Sequence, residues 1–444
     1  MKLKVKDKEN EFKLDGIIKR VNNKFSVELE VPSGVELNST ITNIKGNFNE
    51  LGNITLVNNK NLSIKTNSNN SEFAIYEYEA GYIISSHIDQ QNIQIKSMQL
   101  YFKEFDYFFI KDGYKIDIEN IDNQLTITQK YKSEVLLENE NLCIEYIKTA
   151  GIEKDEYGHN LFLNPSKVKM IFKKPLKLPQ IFEEIARLES CFGFVIDKKM
   201  NLIDIEVCDV NERDYSIIAP FQKAYEEIIL DEFQVVDIDS KELLKLILKM
   251  YYQNQRIATA VNMYYEYIYN DLDIILEFTS LVNTLELLLT DEKYKEELQV
   301  YAINNNEQLK SNNENMMKIF KILTKKQCNF IKSFYRFENV ELRDKIKYIF
   351  YNIFKLEESE SSDKYISKII NTRNYYVHGG NKENTFNNVD TFCTNYLLRS
   401  VLYVLISDFC SINTNTIIET YKMMIPTIYE DLIKPIEKDE ENGG

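Results

Sequence analysis

The segment "NTRNYYVHGG" (371–380) contains one of the eight arginines of the chain and one of its three histidines. Four residues separate Arg373 from His378, Asn374 follows the arginine directly, and two glycines follow the histidine. Glycine commonly ends a helix because it adopts the left-handed conformation without strain. The segment therefore predicts a helix end that carries a basic pair.

The sequence before this segment has the periodicity of an amphipathic helix, predicted at about 363–377. Ser361 or Ser362 is suited to cap its first turn. Its apolar stripe comprises Ile366, Ile369, Ile370 and Val377. Position 373 falls on the same stripe by i+3 and i+4 spacing, so the pattern predicts that Arg373 points inward.

An inward arginine needs an anionic partner, because an unpaired buried charge costs several kcal/mol. Glu286, at the border of an apolar stripe in a helix predicted at 272–290, could form a bidentate pair with Arg373 and leave donors free for a phosphate. His378, at the helix end, could move protons near neutral pH. Imidazole and guanidinium together suit RNA cleavage by the 2′-hydroxyl, a reaction that requires no metal.

The second half of the chain is predicted to be helical. An Asp239–Glu242 capping box marks the change of period near residue 239. Helices are predicted at about 240–252, 255–268, 272–290, 328–337, 340–354, 363–377 and 387–410. The Asn-rich stretch 303–315 is predicted to be a loop within this half.

The first half, from residue 1 to about 210, alternates apolar and polar residues in short runs bounded by Asn, Gly and Asp, which is typical of strands. "QIFEEIARLESC" (180–191) is a helical segment after Pro179, flanked by strand patterns at 167–179 and 193–209. The fold class is therefore α+β multidomain, with antiparallel, sandwich-like sheets followed by an all-α bundle. We predict domains at 1–220, which could divide near residue 150, and at 221–444.

Composition limits the function classes. The hydrophobic fraction of 44% and the aromatic fraction of 12% predict packed globular domains. A net charge of −15 argues against nonspecific nucleic-acid binding, so an RNA site would need local Lys or Arg. The six cysteines show no C-x-x-C spacing, the start has no apolar signal-peptide region, and the longest apolar run, 396–410, is too short for a bilayer. We expect a cytoplasmic protein with no metal, no cofactor and no membrane association.

The motif resembles the HEPN (higher eukaryotes and prokaryotes nucleotide-binding) superfamily, whose mark is R-x(4 to 6)-H at a helix end, commonly with a polar residue after the arginine. A β-rich half followed by such a helical domain is similar to the ApeA-like HEPN proteins of bacterial anti-phage defence. "LVNTLELLL" around Glu286 is similar to an acidic position on an early helix of these proteins. The resemblance places a HEPN core at about 265–437.

This resemblance implies a metal-independent endoribonuclease that acts on RNA, such as tRNA or mRNA, as a homodimer in which two R-x4-H motifs face each other. Arg373 and His378 would be catalytic, Asn374 would orient them or the scissile phosphate, and Glu286 would support them. Residues 1–220 would form a sensor or regulatory region for a phage-derived trigger, and the protein would act as a toxin in abortive infection. The alternative is an inactive HEPN module that binds nucleotide, RNA or a protein partner.

Structural interpretations of the same residues remain open. Arg373 could be a buried arginine paired with Glu286, and His378 could be favoured by the helix dipole alone. His87 reads as a polar residue in a strand, and His159 as a turn residue.

Aromatic and basic clusters also admit two interpretations. Four tyrosines of "MYYEYIY" could stack bases but more often would pack a helix: Tyr264, Tyr265, Tyr267 and Tyr269. Two lysine clusters could contact phosphate but more often would form a solvated face: Lys173, Lys174 and Lys177, and Lys321, Lys325 and Lys326.

Overall fold

The computed structural model of the chain describes residues 2–7, 10–21, 24–48, 52–66, 73–85, 93–105, 117–121, 124–128, 132–148, 150–155, 158–163, 167–219, 240–269, 272–305, 307–327, 340–379, 382–415, 417–419 and 421. The chain divides into two compact units. The first comprises Met1–Glu189 and Met200–Phe233, and the second comprises Ser190–Lys199 and Gln234–Gly444. The predicted order, a β-rich half followed by a helical half, is confirmed. The domain limits predicted from the sequence stay a proposal.

The first unit consists mainly of antiparallel strands, whose alternating burial reflects the period-two pattern of the sequence. They are β1 (Lys2–Asp7), β2 (Asn10–Val21), β3 (Lys24–Pro32), β4 (Thr40–Phe48), β5 (Gly52–Thr66), β6 (Phe73–Glu79), β7 (Tyr82–Ile84), β8 (Ile95–Phe102), β9 (Asp117–Ile121), β10 (Gln124–Thr128), β11 (Lys132–Glu138), β12 (Leu142–Lys148), β13 (Ala150–Asp155), β14 (Gly158–Leu163), β15 (Lys167–Leu176), β16 (Leu202–Asp209) and β17 (Asp214–Ile218).

Strands β1 to β6 form a closed sheet, a closure that the sequence pattern did not predict. The long strand β5 pairs with β4 along its first part and with β6 along its last, and β4, β1, β2, β3 and β6 complete the ring. Inward residues such as Leu3, Val5, Val27 and Leu29 are fully buried in its core. Closure leaves these strands without a free edge.

The sheet also continues sideways from β5 through β7, β17, β16, β8, β15 and β12 to β11. β9 pairs with β10, and β13 pairs with β14. His159 lies in β14 opposite Lys154, so its interpretation as a turn residue is wrong. His87 lies outside the described residues.

Helix α1 (Leu178–Ile196) is longer than the sequence predicted. Residues 193–196 were expected to begin a strand because "GFVI" is continuously apolar, but they form the last turn of the helix. This turn is apolar because it is buried: Phe194 is fully buried and stacks on Tyr403 at 4.6 Å between ring centroids. Gly193 allows close packing, since a Cβ atom there would lie 2.2 Å from the Tyr265 ring.

The second unit is helical. Its helices are α2 (Ser240–Gln253), α3 (Gln255–Tyr269), α4 (Ile274–Leu289), α5 (Glu292–Asn305), α6 (Glu307–Phe320), α7 (Leu342–Tyr348), α8 (Glu360–His378) and α9 (Asn388–Phe409). A π-helical turn, Ile349–Ile353, continues α7. Among the described residues, no helix has the length and apolar character needed to cross a membrane.

The predicted loop at 303–315 is wrong, because α5 and α6 occupy nearly all of it. In α5, whose last turn enters this stretch, polar residues concealed a sparse apolar pattern: Tyr294, Leu298 and Ala302, four residues apart, are its buried positions. Packing of this narrow stripe outweighs the weak helix propensity of asparagine. The helix predicted at 328–337 and the capping residue Asp239 lie outside the described residues.

Candidate functional site

The motif lies at the end of α8, and the boundaries of this helix have clear local causes. Ser359 is the N-cap, and its side chain accepts a hydrogen bond from the Ser362 backbone N–H at 3.1 Å. The prediction that Ser361 or Ser362 caps the helix is therefore wrong, since both are buried inside the first turn. Gly379 ends the helix in the left-handed conformation with φ 68°, as the glycine signal predicted.

The buried face of α8 does not extend through its last turn. Tyr365, Ile366, Ile369 and Thr372 are buried, but Val377 is 42% exposed. The prediction that Val377 continues the apolar stripe is wrong, because Val377 lies in the exposed last turn, where Tyr376 and His378 are exposed as well. The motif is consequently accessible from solvent.

Arg373 and His378 contact each other directly. Nη1 of Arg373 lies 2.9 Å from Nε2 of His378. A guanidinium only donates, so Nε2 is the acceptor in this contact, which requires the tautomer that carries its proton on Nδ1. Asn374 accepts a longer hydrogen bond from the same Nη1 at 3.3 Å. The three motif residues thus form one local cluster.

The predicted pairing of Arg373 with Glu286 is present, but its geometry differs from the prediction. Nη2 of Arg373 is 3.9 Å from Oε2 of Glu286, an ion pair without a hydrogen bond, and the expected bidentate pair is absent from these described residues. Glu286 instead accepts a hydrogen bond of 2.8 Å from Lys345 on α7. The carboxylate therefore lies between two cations and is closer to the lysine.

The arginine is nevertheless well enclosed. Its side chain is 16% exposed, and Nη2 donates to Oδ1 of Asn283 on α4 at 3.3 Å. Its Nε is buried and has no hydrogen-bond partner within the described part of the chain. Arg373 is thus held at the surface of the bundle by α4, while exposed His378 marks the outer side of the site.

The chain segment after the motif is fixed to α8 by a buried threonine. The Thr372 hydroxyl accepts from the Phe386 backbone N–H at 2.9 Å and donates to the Lys368 carbonyl at 2.8 Å. The Phe386 ring packs against Tyr365 and Phe278, with centroids 5.4 and 6.3 Å away. These contacts join α8 to α4 and hold the motif in position.

Two site residues were not identified from the sequence. Asn283 precedes Glu286 by one helical turn on α4, so its position on the same face was a usable signal. Lys345 is on a separate helix and has no sequence pattern that relates it to the motif.

The other sequence candidates lie elsewhere. Tyr264, Tyr265 and Tyr267 are buried, which confirms their packing role, and the Tyr264 hydroxyl donates to Asp197 at 2.6 Å. The side chain of Tyr269 lies outside the described part. Lys321, Lys325 and Lys326 are exposed, in agreement with a solvated face.

The lysines at the end of β15 and just after it also agree with a solvated face. Lys173 and Lys174 are exposed, and Lys173 pairs with Glu138 at 2.8 Å. Lys177 is exposed as well, beside the start of α1. None of them is near α8 in the chain, and none is part of the motif cluster described above.

Comparison with protein families identifies the chain. A model described as ApeA N-terminal domain 1 matches residues 4–232, more than half of the chain, and a model described as Apea-like HEPN matches residues 279–416. The chain belongs to the ApeA-like HEPN family. No curated protein and no solved structure gives a significant match.

The HEPN match includes Asn283, Glu286, Lys345 and the whole of α8 with its motif. HEPN domains are generally nucleases and commonly dimerise, and ApeA-like membership suggests a role in anti-phage defence. The family therefore identifies the domain, and the chemistry of the site depends on its side chains.

Proposed function

We propose that this ApeA-like HEPN protein is a metal-independent endoribonuclease that cleaves RNA by attack of the 2′-hydroxyl and acts in bacterial abortive-infection defence. The observation that carries the proposal is the direct contact of 2.9 Å between Arg373 and His378 at an exposed helix end. A fixed cation and a proton-transfer group adjacent to each other are the two groups that this reaction needs.

In the proposed reaction, the neutral imidazole of His378 accepts the proton of the 2′-hydroxyl through Nε2. The 2′-oxygen attacks phosphorus, the bond from phosphorus to the 5′-oxygen breaks, and the leaving oxygen takes up a proton. The products are a 2′,3′-cyclic phosphate and a 5′-hydroxyl end. Arg373 stabilises the extra negative charge that develops on the phosphate oxygens in the transition state. Electrostatic stabilisation by a preorganised cation is expected to be the largest contribution to the rate enhancement.

Asn374 and Glu286 have supporting roles in this proposal. The Asn374 side chain, 3.3 Å from Nη1, orients the guanidinium or the scissile phosphate. Glu286 limits the mobility of Arg373 across 3.9 Å, while Lys345 neutralises much of its charge. The positive charge of Arg373 is therefore only partly offset by Glu286 and remains available to bind a phosphate.

We also propose that the active form is a homodimer, because a second motif would supply the acid that protonates the leaving oxygen. An exposed apolar stripe on α9 supports this: Val389, Phe392 and Tyr396 are 71%, 47% and 50% exposed. They recur at i, i+3 and i+7, so they share one helix face. Apolar stripes of this kind commonly mark interfaces.

Cleavage of labelled tRNA and mRNA in EDTA tests the proposal. Wild-type protein should give 2′,3′-cyclic phosphate ends, and Arg373→Ala and His378→Ala should each reduce the rate by at least a hundredfold with an unchanged melting temperature. Arg187→Ala and His159→Ala remove the same residue types outside the site and should cleave like wild type. Full cleavage by either motif variant would refute the assignment.

A binding module without nuclease activity is the second candidate. It is favoured by the fact that Nε2 of His378, the nitrogen that would take the proton, is already in contact with Arg373 at 2.9 Å. Such a module would bind nucleotide, RNA or a protein partner. Retention of labelled RNA without any cyclic phosphate product would support it over the enzyme.

The β-rich unit is proposed to be the sensor of a phage-derived trigger in the cytoplasm, which keeps the HEPN domain inactive as a toxin until infection. Its support is the separate match of residues 4–232 to a domain of its own. Cells expressing wild-type protein should stop growing only after phage challenge, and His378→Ala cells should continue to grow. Growth arrest without phage would contradict the inhibitory role.

A further inference from the structure

A cavity in the helical unit lies apart from the motif. Its volume is about 540 Å³, and it is lined by the end of α5, the start of α7 and the first turn of α8. This volume is in the range of cavities that bind small molecules. The motif lies at the opposite end of the 19-residue helix α8, so the two sites are distinct.

The lining is rich in carboxylates, not all of which are neutralised. Four acidic residues, Glu341, Asp344, Glu358 and Asp363, face two basic ones, Arg343 and Lys347. Asp363 is satisfied, because Lys347 donates to it at 2.7 Å and the Tyr351 hydroxyl at 2.7 Å. The remaining carboxylates give the cavity an excess of acceptors.

Asp344 is the residue that points to a ligand. It is only 9% exposed, and its Oδ2 is buried and has no hydrogen-bond partner among the described residues. Burial and the nearby charge of Glu341 raise the pKa of its carboxyl group. A buried carboxylate without a donor is costly, and native proteins rarely retain one without a compensating group.

The lining selects the chemical class of that group. A metal ion is disfavoured, because no set of three or more His, Cys, Asp or Glu in the described ranges is close enough to hold one. An anion is disfavoured by the excess of carboxylates. The ring of Tyr301, which lines the cavity, adds an aromatic wall that favours a cation.

We propose that this cavity binds a small organic cation, an ammonium or guanidinium compound, whose N–H groups donate to Asp344 and Glu341. Compounds of this class have several donors on a flexible apolar stem, which suits carboxylates spread across a cavity of 540 Å³. The proposal does not depend on nuclease activity. It concerns only the residues at the start of α7 and α8.

Calorimetry at 150 mM salt, which screens diffuse attraction to the acidic surface, tests this inference. The probes are spermidine for an ammonium and L-arginine methyl ester for a guanidinium. At least one should bind wild type at one site per chain and raise its melting temperature. Asp344→Asn and Glu341→Gln should each weaken that binding at least tenfold.

Glu360→Gln is the matched control. It removes one negative charge beside the cavity, but Glu360 does not line it and is 85% exposed. Its affinity should equal that of wild type. Failure of both probes to bind, undiminished binding to Asp344→Asn, or equal weakening in Glu360→Gln would each overturn the proposal. Loss of the fold is not a concern for Asp344→Asn, which should melt higher than wild type without ligand.

Discussion

Substitution of Lys345 tests whether this lysine prevents Glu286 from competing with an RNA phosphate for Arg373. Lys345 lies 2.8 Å from Glu286 and is 14% exposed, so it is the closer cation to that carboxylate. In Lys345→Met, Arg373 at 3.9 Å would be the remaining cation beside Glu286 within the described part of the chain. At this distance two unit charges attract by about 4 kcal/mol for an effective dielectric constant of about 20.

The net effect is smaller, because Glu286 is 30% exposed and solvent screens the pair. We expect about 1 to 2 kcal/mol to be lost when the guanidinium turns from phosphate to Glu286, which corresponds to roughly a tenfold fall in kcat/KM. The rate of RNA cleavage in EDTA measures this, and thermal unfolding confirms that the variant is folded. Lys293→Met, which removes a Lys–Asp ion pair elsewhere in the unit, should leave the rate unchanged.

A double variant identifies the cause. If the liberated carboxylate inhibits the arginine, Lys345→Met combined with Glu286→Gln should recover to within about threefold of Glu286→Gln alone. If Lys345 contacts RNA directly, the double variant should instead remain as slow as Lys345→Met. That second result would refute the charge argument while leaving the nuclease assignment intact.

Three further predictions concern stability and assembly. Burial and the charge of Glu341 raise the pKa of Asp344 above 3.8, so its contribution to stability is greatest at low pH and is lost as the pH rises through the raised pKa. In urea titrations, Asp344→Asn should therefore gain stability over wild type between pH 4 and pH 7. A difference in unfolding free energy that stays constant over this range would contradict the argument. Phe392→Asp places a charge on the exposed stripe of α9 and should halve the mass measured by light scattering, whereas an unchanged mass would exclude this face from the dimer. Gly193→Ala would place Cβ 2.2 Å from the Tyr265 ring and should cost about 1 to 3 kcal/mol in chemical unfolding, so a neutral effect would mean that the ring moves freely.

The sequence revealed those parts of the fold whose cause is local. The end of α8 could be predicted because Gly379 and the Arg373–His378 spacing lie within two helical turns of each other. The last turn of α1 could not, since a fully buried apolar run has no period that separates strand from helix. The polar helix α5 was missed for the opposite reason, because only three of its residues are buried.

In the site, too, local contacts were predicted and contacts that depend on packing were not. The contacts of Arg373 with Asn374 and His378 span one and five residues, and the sequence motif predicts their proximity. The ion pair of Glu286 with Arg373 was predicted, but its bidentate geometry was not found, because Lys345, 59 residues away, is brought to the same carboxylate by packing of α7 against α4. Charge complementarity predicted that Glu286 pairs with a cation, but it could not show whether Arg373 or Lys345 is the closer one.

The resting contacts of Arg373 also determine how the proposed reaction would start. Nε2 of His378, which must take the proton of the 2′-hydroxyl, is occupied by Nη1 of Arg373 at 2.9 Å. A phosphate oxygen forms shorter, charge-assisted bonds to a guanidinium and would displace both this neutral acceptor and the Asn374 oxygen at 3.3 Å. Release of Nε2 would then depend on phosphate binding, so the base would become available only where a scissile phosphate is already held. This coupling explains how two groups that occupy each other in the unbound chain can act on one substrate.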